Sequence, residues 1–362
     1  MQNDSWRTRT ALSLVLGVLL LTIGCGTKST PPNTYLYVGG ATNNPADPFA
    51  IPIGSVAQFR VESDGTLTAL SPQSVPGVVP YFASAVTPGE QYLFIPSGPV
   101  SEFEIGSDGT LSAMTAPVAS GGSIAFTPNG QFALLPDPTN ATLNSYSLSA
   151  SGVLSPINTV PTSGYSQYVT IGGSGKFAYV SDLNDGTILE YTISAGGMLA
   201  ANGSIFSGGH NPNALVFSPG GFLYSGNTNS GSVSVLSMDA STGLLALVDT
   251  YTIFPVNSYG NGLGAVWIAF DPAGTHAYVS DQFEIVEFTV DASTGALTSN
   301  GVVSTAGSAL WGGVDPTGKF LFTANSDGTI SRYVIGSSGT LSLNGSVSVG
   351  VSVAETLAFA QR

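Results

Sequence analysis

Two histidines, His210 and His276, and one cysteine, Cys25, are this chain's whole supply of the side chains that most often move protons or hold metals near neutral pH. His210 sits in Gly208-Gly209-His210-Asn211-Pro212. Such a loop suits either a ligand contact with some acid–base capacity or a histidine bonded to nearby backbone. His276 opens the apolar run Ala277-Tyr278-Val279 and reads as a packed residue. Two separated histidines, with no His-x-Glu or Glu-x-x-His pattern, cannot assemble a zinc site. One cysteine excludes a disulfide framework or thiolate cluster within the chain. Asp182, Asn184 and Asp185 offer hard oxygen ligands of the kind calcium takes, but their spacing departs from the EF-hand and Asn-Asp-Gly is an ordinary hairpin turn. No metal and no cofactor is expected.

Charge narrows the field further. Among 362 residues there are 22 acidic and 8 basic side chains, a net charge of −14, and 46 glycines. After residue 30 the cations are Arg60, Lys176, Lys319, Arg332 and Arg362. Binding a phosphate backbone requires clustered Lys and Arg, so nucleic acid is not a partner. Hydrophobic residues at 43% exclude a disordered chain, which needs low hydrophobicity and high charge density.

The first 24 residues read as an address. Arg7 and Arg9 precede the apolar run Ala11 to Ile23, which ends at Gly24-Cys25. That run is too short for a bilayer, which takes about 20 residues as a helix, and it fits a secretory signal. Leu21-Thr22-Ile23-Gly24-Cys25 resembles the lipobox of bacterial lipoproteins, with Thr22 where Leu is usual. The resemblance implies that Cys25 is acylated and becomes the mature N-terminus, followed by a polar tether over 25–33. The membrane is then a partner through acylated Cys25. Gly26, rather than Asp, after the cysteine points to the outer rather than the inner membrane.

Beyond the tether a single unit repeats. The glycine of a hairpin turn recurs at Gly65, Gly109, Gly152, Gly197, Gly243, Gly295 and Gly339. A second anchor, usually proline, recurs at Pro88, Pro128, Gly173, Pro219, Pro272 and Pro316 with nearly the same period. Each unit holds four short apolar or alternating runs separated by turn residues, as in Phe177-Ala-Tyr-Val, Thr187-Ile-Leu-Glu-Tyr-Thr-Ile and Gly197-Met-Leu-Ala. Period-2 alternation bounded by Gly, Pro, Asn and Asp marks strands. Four strands per repeat and seven repeats predict an all-β, seven-bladed β-propeller over 34–362. The chain enters at Thr34-Tyr-Leu-Tyr-Val, a second strand with no first strand before it. The missing first strand is Glu355-Thr-Leu-Ala-Phe-Ala at the far end, so the C-terminus is expected to join blade one and close the ring.

Phe217-Ser-Pro-Gly-Gly, Phe270-Asp-Pro-Ala-Gly-Thr-His-Ala-Tyr-Val-Ser and Val314-Asp-Pro-Thr-Gly-Lys-Phe-Leu-Phe-Thr-Ala-Asn resemble the bacterial lactonase family of seven-bladed propellers, which includes 6-phosphogluconolactonases and muconate cycloisomerases. Counting back six residues from each anchor, to where the enzymatic relatives place His or Arg, gives Phe82, Gly122, Gln167, Asn213, Val266, Leu310 and Glu355. The next position gives Ala83, Ser123, Tyr168, Ala214, Trp267, Trp311 and Thr356. Neither ring holds a cation or histidine. Where those relatives carry Pro-His, Pro-Arg-His, Asn-Glu and a further Arg, this chain has Ser166-Gln167, Pro212-Asn213-Ala214, Asn227-Thr228 and Gln282. General acid–base catalysis needs a group that titrates near the working pH, and anion recognition favours Arg.

Two functions follow as expectations. The first is a lipid-anchored binding or scaffold module at the cell envelope. Its sugar or protein ligand would meet a rim of Tyr81, Tyr168, Trp267 and Trp311, with Tyr165 and Tyr259 nearby. The same aromatic residues also suit packing between blades, and the sequence leaves both roles open. The second is a lactone hydrolase with an altered site that places His210, Gln167, Asn213 and Glu355 near the substrate. The long loops Gly40 to Ser55 and Asn257 to Gly264 belong on the binding face.

Overall fold

A computed structural model describes residues 32–43, 52–80, 82–97, 99–114, 121–254, 264 and 266–362. Asn33–Arg362 forms one compact unit. Its described strands make seven four-stranded antiparallel sheets, one per repeat. Cys25, Tyr81, Tyr259, residues 44–51 of the first long loop and 257–263 of the second lie outside the described residues.

Blade one contains both chain ends. Its innermost strand is Val353–Gln361, which pairs antiparallel with Thr34–Thr42 in the register Thr34↔Gln361 to Ala41↔Val353. Asn33 and Arg362 exchange backbone hydrogen bonds of 2.8 and 2.9 Å at its end. The sheet continues through Ile53–Val61 to Leu67–Gly77. Closing the ring this way pairs strand edges that would otherwise template aggregation.

Two contacts recur from blade to blade and explain the period of the sequence. Each anchor glycine lies in a tight turn with positive φ, and in most blades the first ring of the preceding blade's second strand presses against it. At Gly243 (φ +76°) an added Cβ would stand 2.1 Å from Cδ1 of Phe177; at Gly339 it would stand 2.1 Å from Cδ2 of His276. His276 therefore does the work of Phe177 and Phe132 as a packing ring. Its Nδ1 lies 3.3 Å from Oδ2 of Asp271. The second contact is a tyrosine hydroxyl two residues further on: Tyr37 donates to the Gly109 carbonyl at 2.8 Å, Tyr179 to Gly243 at 2.6 Å and Tyr224 to Gly295 at 2.6 Å. Buried polar tips find partners, and here the partner is the neighbouring blade.

The hydrophobic clusters lie mainly between neighbouring sheets. One joins the first and last blades through Leu36, Phe59, Phe322, Ile330 and Leu357. Asp182, one of the oxygen-bearing residues weighed for calcium, is fully buried and caps its own turn: Oδ1 accepts the N–H groups of Asn184 and Asp185, and Oδ2 accepts the Ser163 hydroxyl at 2.7 Å. Among the described residues no group of His, Cys, Asp and Glu is arranged to hold a metal ion.

Candidate active or binding site at the mouth of the ring

The inner strands converge on a cavity of about 240 Å³ walled by Pro80, Phe82, Tyr168, Asn213, Val266, Gln282, Leu310, Trp311 and Glu355. Five of these are positions counted six residues before the anchors, and Tyr168 and Trp311 come from the next position. Gln282 stands where the resemblance implies an arginine. Pro80 had no distinguishing signal in the sequence.

A backbone irregularity aims several of these side chains. The pairing of the inner strand with its neighbour skips Gln167 and Tyr168 in blade four, Asn213 in blade five, Leu310 in blade seven and Glu355 in blade one. Each is an extra residue of a β-bulge. A bulge takes its residue out of the ladder and turns its side chain off the sheet face. The repeat thus builds the same device four times at the same end of the ring.

Glu355 is the sole carboxylate among the described residues of the cavity wall. Its Oε2 is buried with no hydrogen-bond partner, and the ion pairs among the described residues lie elsewhere, at Arg60–Glu62 and His276–Asp271. Burial pushes its carboxyl up to about 7, because no charge or donor offsets the loss of hydration. Tyr168 faces the same space; burial pushes its hydroxyl up to about 12, so it stays protonated. Its ring meets Phe82 edge to face, centroids 6.2 Å apart at 78°. Gln282 has φ +88°, and its amide oxygen accepts the Ser308 hydroxyl at 3.2 Å, leaving the amide NH2 as the donor it offers. Glu355, two amides and three aromatic rings can bind a small molecule and exchange one proton near neutral pH.

Other expected site residues lie elsewhere. Trp267 is not at the rim. It is 1% exposed, its Nε1 donates to the Ala309 carbonyl at 3.3 Å, and its ring lies against Gly312. The hydrophobic payload of the indole is spent between blades six and seven. His210 is exposed, takes no part in the cavity wall, and sets its ring edge-on to Phe206, centroids 5.8 Å apart. Its backbone N–H donates to the Ser230 hydroxyl at 2.8 Å. Gln167 is half-buried outside the wall, with its carbonyl accepting the Ser123 N–H at 2.8 Å. Asn227, at the place of the relatives' Asn-Glu pair, is fully buried and bonded to the hydroxyls of Ser207, Ser225, Ser232 and Ser234.

The profile of the family described as "Lactonase, 7-bladed beta-propeller" matches residues 122–260 and 249–352. No curated protein matches the sequence. Several solved structures share the fold. A putative 6-phosphogluconolactonase from Bacteroides fragilis is 19% identical, with a TM-score of 0.74 over 92% of this chain and 99% of its own. The periplasmic gluconolactonase of Pseudomonas aeruginosa is 17% identical, with a TM-score of 0.73 over 90% and 99%. A protein from Lactobacillus plantarum is 21% identical, with a TM-score of 0.74 over 90% and 99%. With the profile spanning more than half of its length, the chain belongs to the lactonase family of seven-bladed β-propellers.

Proposed function

We propose that this protein is an exported, lipid-anchored binding module of the cell envelope that takes a small, non-anionic ligand into the mouth of its ring. The observation that carries the reading is the composition of the cavity wall: rings, two amides and one carboxylate, with no Lys, Arg or His among its described residues. Recognition of a phosphate or carboxylate relies on fixed cationic donors, and a net charge of −14 repels such ligands at long range. Export and anchoring rest on Arg7, Arg9, the apolar run to Ile23 and Cys25, with the outer membrane as destination. Calorimetric titration of the detergent-solubilised protein with neutral sugars, small amines and 6-phosphogluconate tests the role. Saturable binding of an uncharged or cationic compound, lost in Trp311→Ala, is expected. Preferential binding of the phosphorylated acid would overturn it.

Lactone hydrolysis is the second reading, and Glu355 is what favours it. A carboxyl poised near 7 can take a proton from an attacking water, while the amides of Asn213 and Gln282 donate to the developing oxyanion. The Bacteroides and Pseudomonas neighbours, a putative 6-phosphogluconolactonase and a gluconolactonase, point to the same class of substrate. Turnover of glucono-lactone above the spontaneous rate, abolished in Glu355→Gln and intact in His210→Ala, would move this reading ahead of simple binding. Turnover that survives Glu355→Gln would remove Glu355 from the role.

A further inference from the structure

We infer that the mouth cavity is built for a small organic cation, a primary or methylated ammonium, held between the Glu355 carboxylate and the rings of Phe82, Tyr168 and Trp311; this assignment rests on the binding role proposed above. Glu355 contributes the counter-charge. It enters the cavity wall as a bulged residue of Val353–Gln361, and its Oε2 is buried without a partner. A buried carboxylate oxygen left without a donor is costly in a folded chain, and Glu355, unlike Glu102 between blades, carries that oxygen in the wall of the mouth cavity, where a ligand can complete it.

The rings contribute the rest. The faces of Trp and Tyr attract a positive charge within about 6 Å of their centroids, and the attraction grows when water is excluded. Three aromatic side chains around one carboxylate favour a cation over an anion, which meets the wrong charge, and over an uncharged isostere, which packs on the rings but gains nothing from the carboxylate or the ring quadrupoles. Size agrees: at about 240 Å³ the space lies below the range of about 300–1,000 Å³ typical for drug-sized ligands. The excess of 22 acidic over 8 basic residues also raises the local concentration of cations at the surface.

Ionisation of Glu355 then couples to occupancy. Its free carboxyl titrates near 7 under the influence of burial alone, and Tyr168, the only other titratable group among the described residues of the wall, stays neutral throughout this range. A cation binds the ionised form, so affinity falls about tenfold for each pH unit below the free carboxyl's midpoint.

Calorimetric titration of the full, detergent-solubilised chain tests this with choline, its uncharged isostere 3,3-dimethylbutan-1-ol, glucose and glucono-lactone, at pH 8 and pH 5. Choline is expected to bind at pH 8, at least tenfold more tightly than the isostere, and to weaken about 100-fold at pH 5. Glu355→Gln, which removes an unpaired charge without changing shape, is expected to lower choline affinity at least tenfold and to abolish its pH dependence. Equal binding of choline and its isostere, or choline binding untouched by Glu355→Gln, would overturn the assignment. Binding of glucose or glucono-lactone without choline would overturn it too, while leaving the binding role intact. Silence from every probe would count against both.

Discussion

Trp267 packs against Gly312 of the next blade, and a Cβ placed on Gly312 would stand 2.5 Å from the Trp267 Cη2. The contact locks blades six and seven together beside the cavity, because the indole Nε1 also donates to the Ala309 carbonyl. One bare α-carbon therefore decides where the largest side chain of the inner ring is stored.

Gly312→Ala should lower stability by about 1–3 kcal/mol, the usual cost of overpacking a close contact. The readout is the midpoint of chemical unfolding, with tryptophan fluorescence reporting displacement of the ring. An unchanged midpoint and spectrum would mean that the neighbouring blades part without resistance.

Gly243 and Gly221 separate backbone strain from collision. Both have positive φ, +76° and +86°, but a Cβ on Gly221 meets nothing within 4 Å, whereas one on Gly243 lies 2.1 Å from the Phe177 ring. Gly221→Ala should cost about 1 kcal/mol, the left-handed backbone penalty alone. Gly243→Ala should cost at least about 1 kcal/mol more in the same unfolding assay. Equal costs would show that the ring contact between blades is slack.

Glu102 predicts a pH effect on stability. Its position in the third strand of blade two matches Gln58, Glu190 and Glu287, whose side chains accept the N–H groups of Leu111, Leu245 and Leu341 in the next blade at 2.7–2.8 Å. Both Glu102 oxygens are buried without any partner, and burial pushes the carboxyl up to about 7. A carboxyl raised by folding holds its proton longer in the native state. Its contribution to stability is present in full below the unfolded value and is lost as pH rises from about 4.5 to about 7. Glu102→Gln should remove that part of the slope and stabilise the protein at pH 8 by about 1–3 kcal/mol. Urea midpoints at pH 4.5, 6 and 8 check this; parallel curves for variant and parent would reject it.

Cys25→Ser tests the proposed anchor. The substituted chain should leave the membrane fraction and lose incorporation of labelled fatty acid. Retention of both would show that Cys25 is not the acylated residue.

The seven-fold period, four strands per blade and closure by the C-terminal strand were legible in the sequence. Each depends on local chemistry repeated in register: Asp-Gly turns, period-2 alternation, and an unmatched strand at each end. The mouth of the ring was legible by counting, since Phe82, Asn213, Val266, Leu310 and Glu355 all line the cavity. What counting could not supply was the fate of like residues at like positions. Trp267 and Trp311 occupy the same place in adjacent blades. Trp267 is buried because Gly312 leaves room for its ring. The corresponding place in the closing strand is Leu357 rather than a glycine, and Trp311 packs only partly against the cluster that holds this leucine and stays half in the cavity. His210 stands near the mouth in sequence and packs outward on Phe206. Bulges arise from how the strands of one blade pair, and collisions and unpaired carboxyls only when blades meet across the ring. Tertiary structure therefore decided which side chains face the cavity and which hold the blades together.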